Sequence, residues 1–183
     1  DYDLAVINIA LAYRNLGDDD AALAGFERYL TLHPKDPYVR CHMGEVYLDR
    51  GDFARAEAEF TQALGIDPHV ASAINALGAI ALRRGDLATA EQRAQEALKT
   101  KPDVRLAHYN LALIAEQRGD LQLAEKEYLL ELEQHPDAYR AAFNLSRLYA
   151  QIGEKGLEVD ALQQTIDGNP DFSPAYAYLA KAR

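Results

Sequence analysis

A glycine recurs every 34 residues along this chain, at Gly17, Gly51, Gly85, Gly119 and Gly153, each followed by Asp or Glu. Pro34, Pro68, Pro102, Pro136 and Pro170 keep the same interval. Two punctuation residues locked to one period demand a stack of identical supersecondary units rather than one unrepeated core. Each unit reads as two helices. About fourteen residues of helical spacing run up to the glycine, which ends the first helix by taking a left-handed conformation. The acid after it, Asp18, Asp52, Asp86 or Asp120, is placed to accept the free N–H groups of the next helix. Proline then closes the second helix, because its ring cannot continue the hydrogen-bond ladder. The predicted units are 3–36, 37–70, 71–104, 105–138 and 139–172, and a single helix over 173–183 caps the array or begins a partial sixth unit.

Within the units, residue types repeat as well. Unit two carries Met43-Gly44, Tyr47, Gly51, Ala56, Phe60, Ala63 and Pro68. Unit one supplies Ile9-Ala10, Tyr13, Ala22, Phe26 and Pro34, and unit three supplies Leu77-Gly78, Ala90, Ala97 and Pro102. Small residues such as Gly44, Gly78, Ala56 and Ala90 let paired helices approach, while Tyr47 and Phe60 fill the space between hairpins. This pattern resembles the tetratricopeptide repeat over nearly the whole chain. The resemblance implies an all-α fold, a right-handed superhelical α-solenoid of antiparallel helix pairs forming one domain over 1–183. It also implies that first helices line a concave groove. Two departures stand out: Ala81 and Ala94 thin the packing of unit three, and Glu158 replaces a small residue in unit five. A buried, unpaired carboxylate is costly, so Glu158 is expected either to find partners near Ser146 or to turn outward with its helix.

Composition narrows the function. With 49% apolar residues the chain has enough to bury a core, and no apolar run is long enough to insert into a membrane. A net charge of −10 opposes nucleic-acid binding, which needs a basic surface. One cysteine, Cys41, excludes an internal disulfide; with no visible leader, it favours a cytoplasmic location. The start without Met suggests a piece of something longer.

No catalytic, cofactor or metal site is expected. The five histidines show no ligand spacing, and Cys41 and His42, adjacent on a helix, point about 100° apart. His108 falls at a packing position, and the acidic pairs Glu57/Glu59 and Glu131/Glu133 read as solvated outer faces.

The predicted activity is protein binding. First helices hold nine arginines against four acids, whereas the second helices and loops are strongly acidic, so the groove side is basic relative to the rest. Arg140, Asn144 and Arg147 fall at i, i+4 and i+7 beside Phe143, an arrangement suited to a carboxylate and a peptide backbone. Asn8, Asn110 and Asn144 share the sixth position of their units, His42 takes it in unit two, and Asn75 lies one residue earlier in unit three. Recurring amides resemble the asparagine ladder with which some tetratricopeptide proteins grip extended chains. The lysine of the chaperone-binding members is replaced by Ile7, Cys41, Asn75, Tyr109 or Phe143 at the fifth position. Two apolar stripes, Leu4-Ile7-Leu11 and Leu106-Tyr109-Leu113, add contact surface. The expected partner is a protein or peptide with an acidic group near unit five. The alternative is a docking or self-assembly module, a homo-oligomer, within a larger and even enzymatic protein.

Overall fold

A computed structural model describes residues 2–182, with the side chains of residues 5–182. The predicted alternation appears as eleven helices among the described residues: α1 (Tyr2–Asn15), α2 (Asp19–Leu32), α3 (Pro37–Asp49), α4 (Phe53–Ile66), α5 (Ala71–Arg83), α6 (Leu87–Thr100), α7 (Ala107–Arg118), α8 (Leu121–Gln134), α9 (Tyr139–Ile152), α10 (Lys155–Gly168) and α11 (Ser173–Ala182). The chain divides into two compact units, Asp1–Pro102 and Asp103–Arg183. The first holds the hairpins α1/α2, α3/α4 and α5/α6, with α2 stacked on α3 and α4 on α5. The second holds α7/α8 and α9/α10, with α8 stacked on α9 and α11 laid against α10.

The five turns form as expected. All five glycines have φ between 75° and 84°, the left-handed region that L side chains avoid. Asp18, Asp52, Asp86 and Asp120 accept the N–H of Ala21, Arg55, Thr89 and Leu123 at 3.0–3.1 Å, but Glu154 makes no such cap. Inside the hairpins the small residues sit where helices touch. A Cβ on Gly44 would lie 2.8 Å from the Phe60 ring, and one on Gly25 would lie 2.7 Å from the Ala10 Cβ. Ala56, Phe60 and Ala63 are buried between α3 and α4.

The fourth hairpin departs from the period. Its first helix begins at Ala107, and Leu106 lies just outside it with φ 66°, left-handed without being glycine. Such a residue costs roughly 1–2 kcal/mol. The compensation comes from α8: Glu131, fully buried, accepts the N–H of Leu106 at 2.8 Å and of Tyr109 at 3.3 Å. A carboxylate is thus set at the positive end of α7. Glu131 is therefore no solvated surface acid, contrary to the expectation for the Glu131/Glu133 pair. Nor does Glu158 need a buried partner: it remains half-buried on α10, and the Ser146 hydroxyl donates instead to the Phe143 carbonyl at 2.6 Å.

Candidate functional site

In the second unit the first helices lie side by side. The amide Nδ2 of Asn144 on α9 donates to the hydroxyls of Tyr109 on α7 and Tyr128 on α8, both at 3.3 Å. The Tyr128 hydroxyl donates to Glu116 at 3.0 Å, and the Tyr109 and Tyr128 rings are 6.0 Å apart. Burial, reinforced by the Glu116 carboxylate, holds the Tyr128 hydroxyl protonated far above ordinary pH. Asn144 is accordingly fixed in orientation, and its Oδ1 carries no hydrogen bond among the described residues.

On either side of Asn144 stand Arg140 and Arg147, both exposed. Arg140 lies over the Tyr139 ring at 5.5 Å, and neither guanidinium pairs with an acid among the described residues. Phe143, half-buried between them, meets Phe172 at 5.1 Å and Tyr178 at 5.2 Å, both edge-on. Tyr178 on α11 is 39% exposed, with the Lys181 ammonium 5.9 Å above its ring. The face therefore combines three cations, one oriented amide and aromatic edges. Sequence reasoning named neither Tyr178 nor Lys181 as a contact. Carrying the unit numbering into α11 places them at its sixth and ninth positions, the same positions as Asn144 and Arg147.

The first unit is different. Arg14 on α1 pairs with Glu45 on α3, to which His42 Nδ1 also comes within 3.3 Å, and His42 stacks on Phe26 at 5.7 Å. Burial raises the Glu45 pKa, but the His42 hydrogen bond and the Arg14 charge outweigh it and hold the carboxyl below its ordinary range. His42 is thus half-buried in a local ion cluster. Asn8 is exposed on α1.

Two expectations about the face need correction. Asn75 and Asn110 are only 4% and 5% exposed, so the amides do not form a continuous accessible row; the hairpin packing has absorbed them. The Leu106-Tyr109-Leu113 stripe is also not a free apolar strip. Leu106 stands outside the helix, while Tyr109 and Leu113 are half-buried against the core of the second unit. In the other stripe, Ile7 and Leu11 pack on the core of the first unit, and Leu4 lies outside the described side chains. The charge asymmetry is weaker than the residue count implies. Arg14, Arg40, Arg50, Arg84 and Arg105 are ion-paired with Glu45, Glu59, Asp19 and Asp20, Glu57, and Asp137 respectively. His108 packs as expected, half-buried, with Nδ1 2.6 Å from Glu127. Among the described residues no cluster of three or more His, Cys, Asp or Glu could hold a metal, and no helix is long and apolar enough to cross a membrane.

Comparison with known proteins gives a consistent picture. Sequence profiles described as tetratricopeptide repeat match residues 41–98 and 75–134, and a further one matches 5–36. No curated protein matches the sequence significantly. Among solved structures, TTC0263, a thermophilic TPR protein of Thermus thermophilus, is 21% identical with a TM-score of 0.82, covering 98% of each chain. A chain of the APC/C hetero-tetramer Cut9–Hcn1 is 17% identical, also at TM-score 0.82. The match takes in 97% of this chain but spans only 36% of that one. YrrB, a TPR protein with an unusual peptide-binding site, is 22% identical at TM-score 0.57, with 97% and 91% covered. At these identities the likeness is one of fold.

Proposed function

Since this chain belongs to the tetratricopeptide repeat family, a family of protein-interaction scaffolds, we propose that it holds an acidic segment of a partner protein on the α9/α11 face of its second unit. One observation carries the reading: Arg140 and Arg147 are exposed on one stripe with no acid paired to them, in a chain where five other first-helix arginines are ion-paired. Guanidinium groups left open on either side of an amide suit a carboxylate and a peptide unit together. Asn144 offers its Oδ1 to a backbone N–H, and Phe143 with Tyr178 offers aromatic edges to a side chain. Lys181 extends the positive strip. YrrB, which shares the fold, is described as having a peptide-binding site of its own. Asn8 and His42 remain candidates for a separate contact in the first unit.

The double substitution Arg140→Glu and Arg147→Glu tests this. Both side chains are exposed, so the circular-dichroism spectrum and melting temperature stay as in the native chain. Affinity for an acidic peptide falls at least tenfold, or about 1.4 kcal/mol or more, measured by fluorescence anisotropy. Equal affinity in native and doubly substituted chains would remove this face from consideration.

A further inference from the structure

The outermost helix of the first unit carries an apolar face that the same register buries elsewhere in the chain. On α1, Ile9 is 56% exposed, Tyr13 40% and Leu16 81%, with Ala5 and Ala12 exposed beside them. One period later on α3, Met43, Val46 and Tyr47 stand in the places of Ile9, Ala12 and Tyr13, and all are buried. On α9 the same places hold Leu145, Leu148 and Tyr149, buried to 5% or less. α3 and α9 each have a second helix of the preceding hairpin laid against them, α2 and α8 respectively. α1 has its own hairpin partner and a following hairpin as they do. The difference in exposure therefore isolates what a preceding second helix would cover. A repeat array that ends in water carries a polar outer face on its last helix; this one is aliphatic and aromatic.

The interface edge adds chemical detail. At the place of Leu16, α3 has Arg50, which reaches back to Asp19 and Asp20 on α2 at 2.9 and 2.8 Å. Just after α5 the place is taken by Arg84, which reaches back to Glu57 on α4 at 2.6 Å. Inside the first unit this edge is thus an arginine matched by an acid on the helix laid over it. On α1 the arginine has become leucine. We infer that the Ile9-Tyr13-Leu16 face of α1 is a docking surface for an amphipathic helix of a partner protein, seated as α2 sits on α3. The contact stripe of that helix is apolar through the end that meets Leu16, where the chain's own second helices place an acid.

A second copy of the chain fits less well. Its helices α2, α4, α8 and α10 already carry α3, α5, α9 and α11 on the face in question. Packing α1 on α1 would bury a strip only about 21 Å long on each copy, well short of the roughly 800 Å² per partner of a stable dimer.

The probe is a fluorescent peptide of residues 19–32 with Asp19→Ala and Asp20→Ala, held helical by a staple on its outer side and titrated against the intact chain. Saturable binding is expected. It weakens at least about tenfold when Ile9→Glu and Leu16→Glu set charges under the helix, while the denaturation midpoint is unchanged because both residues are exposed. The same stapled peptide with its aspartates restored binds several-fold more weakly, and Arg140→Glu with Arg147→Glu has no effect. Absence of saturable binding to the stapled probe, or equal binding to the Ile9/Leu16 variant, overturns the proposal. A native dimer in sedimentation that this variant abolishes overturns it too, by assigning the face to a second copy.

Discussion

Single residues in this chain act across distances that a repeat pattern conceals. Glu131 is the clearest case: a fully buried carboxylate on α8 that receives the N–H groups of Leu106 and Tyr109. Replacing it by alanine strands those donors and is expected to cost about 2–4 kcal/mol in chemical denaturation. Glu131→Gln keeps one acceptor oxygen and should lose less than half as much. Amide exchange at Leu106 and Tyr109 would quicken in the alanine variant first. Equal losses in the two variants would locate the energy in side-chain shape rather than in the hydrogen bonds. Asn75 and Asn110 teach the same lesson from the other side. Their place in the unit pointed to the surface, but depth depends on the bulk of neighbours in the flanking helices, which one unit's sequence does not contain.

At the scale of elements, helix ends were the most legible feature, because glycine and proline limit backbone torsions whatever surrounds them. The start of α7 was not legible, since the acid that holds it lies 25 residues later in the chain. Side-chain volume at helix crossings was also readable, and it separates two superficially equal substitutions. Gly44→Ala drives a Cβ to within 2.8 Å of the Phe60 ring and is expected to destabilise the first unit by about 1–3 kcal/mol. Gly156→Ala, inside α10 with nothing within 4 Å of the added Cβ, should stabilise by about 0.5–1 kcal/mol through helix propensity alone. Thermal or urea denaturation of the two variants gives the opposed signs; like signs would mean that α3 and α4 have room to separate.

For the molecule as a whole, charge is the governing quantity. A net −10 repels an acidic partner at long range, although Arg140 and Arg147 attract it at contact. Screening reaches about 30 Å at 0.01 M salt and about 8 Å at 0.15 M. Raising salt between these limits should remove the distant repulsion before the contacts weaken, so stopped-flow association with an acidic peptide speeds up. A steady fall in rate would mean that the basic strip dominates the field. The sequence supplied the total charge and the two arginines but not this balance. Which arginines stay unpaired depends on cross-hairpin pairs such as Arg50 with Asp19, brought together only by the stacking.

Each of the five glycine turns closes within its own hairpin, and a side-chain carbon added to any of them would meet nothing within 4 Å. The junctions are thus interchangeable parts. Unequal recombination that duplicates or deletes 34 codons rejoins equivalent turns in phase, so descendants of this gene can lengthen or shorten in whole-hairpin steps and keep every helix contact. An insertion of any other size would throw all later crossings out of alignment.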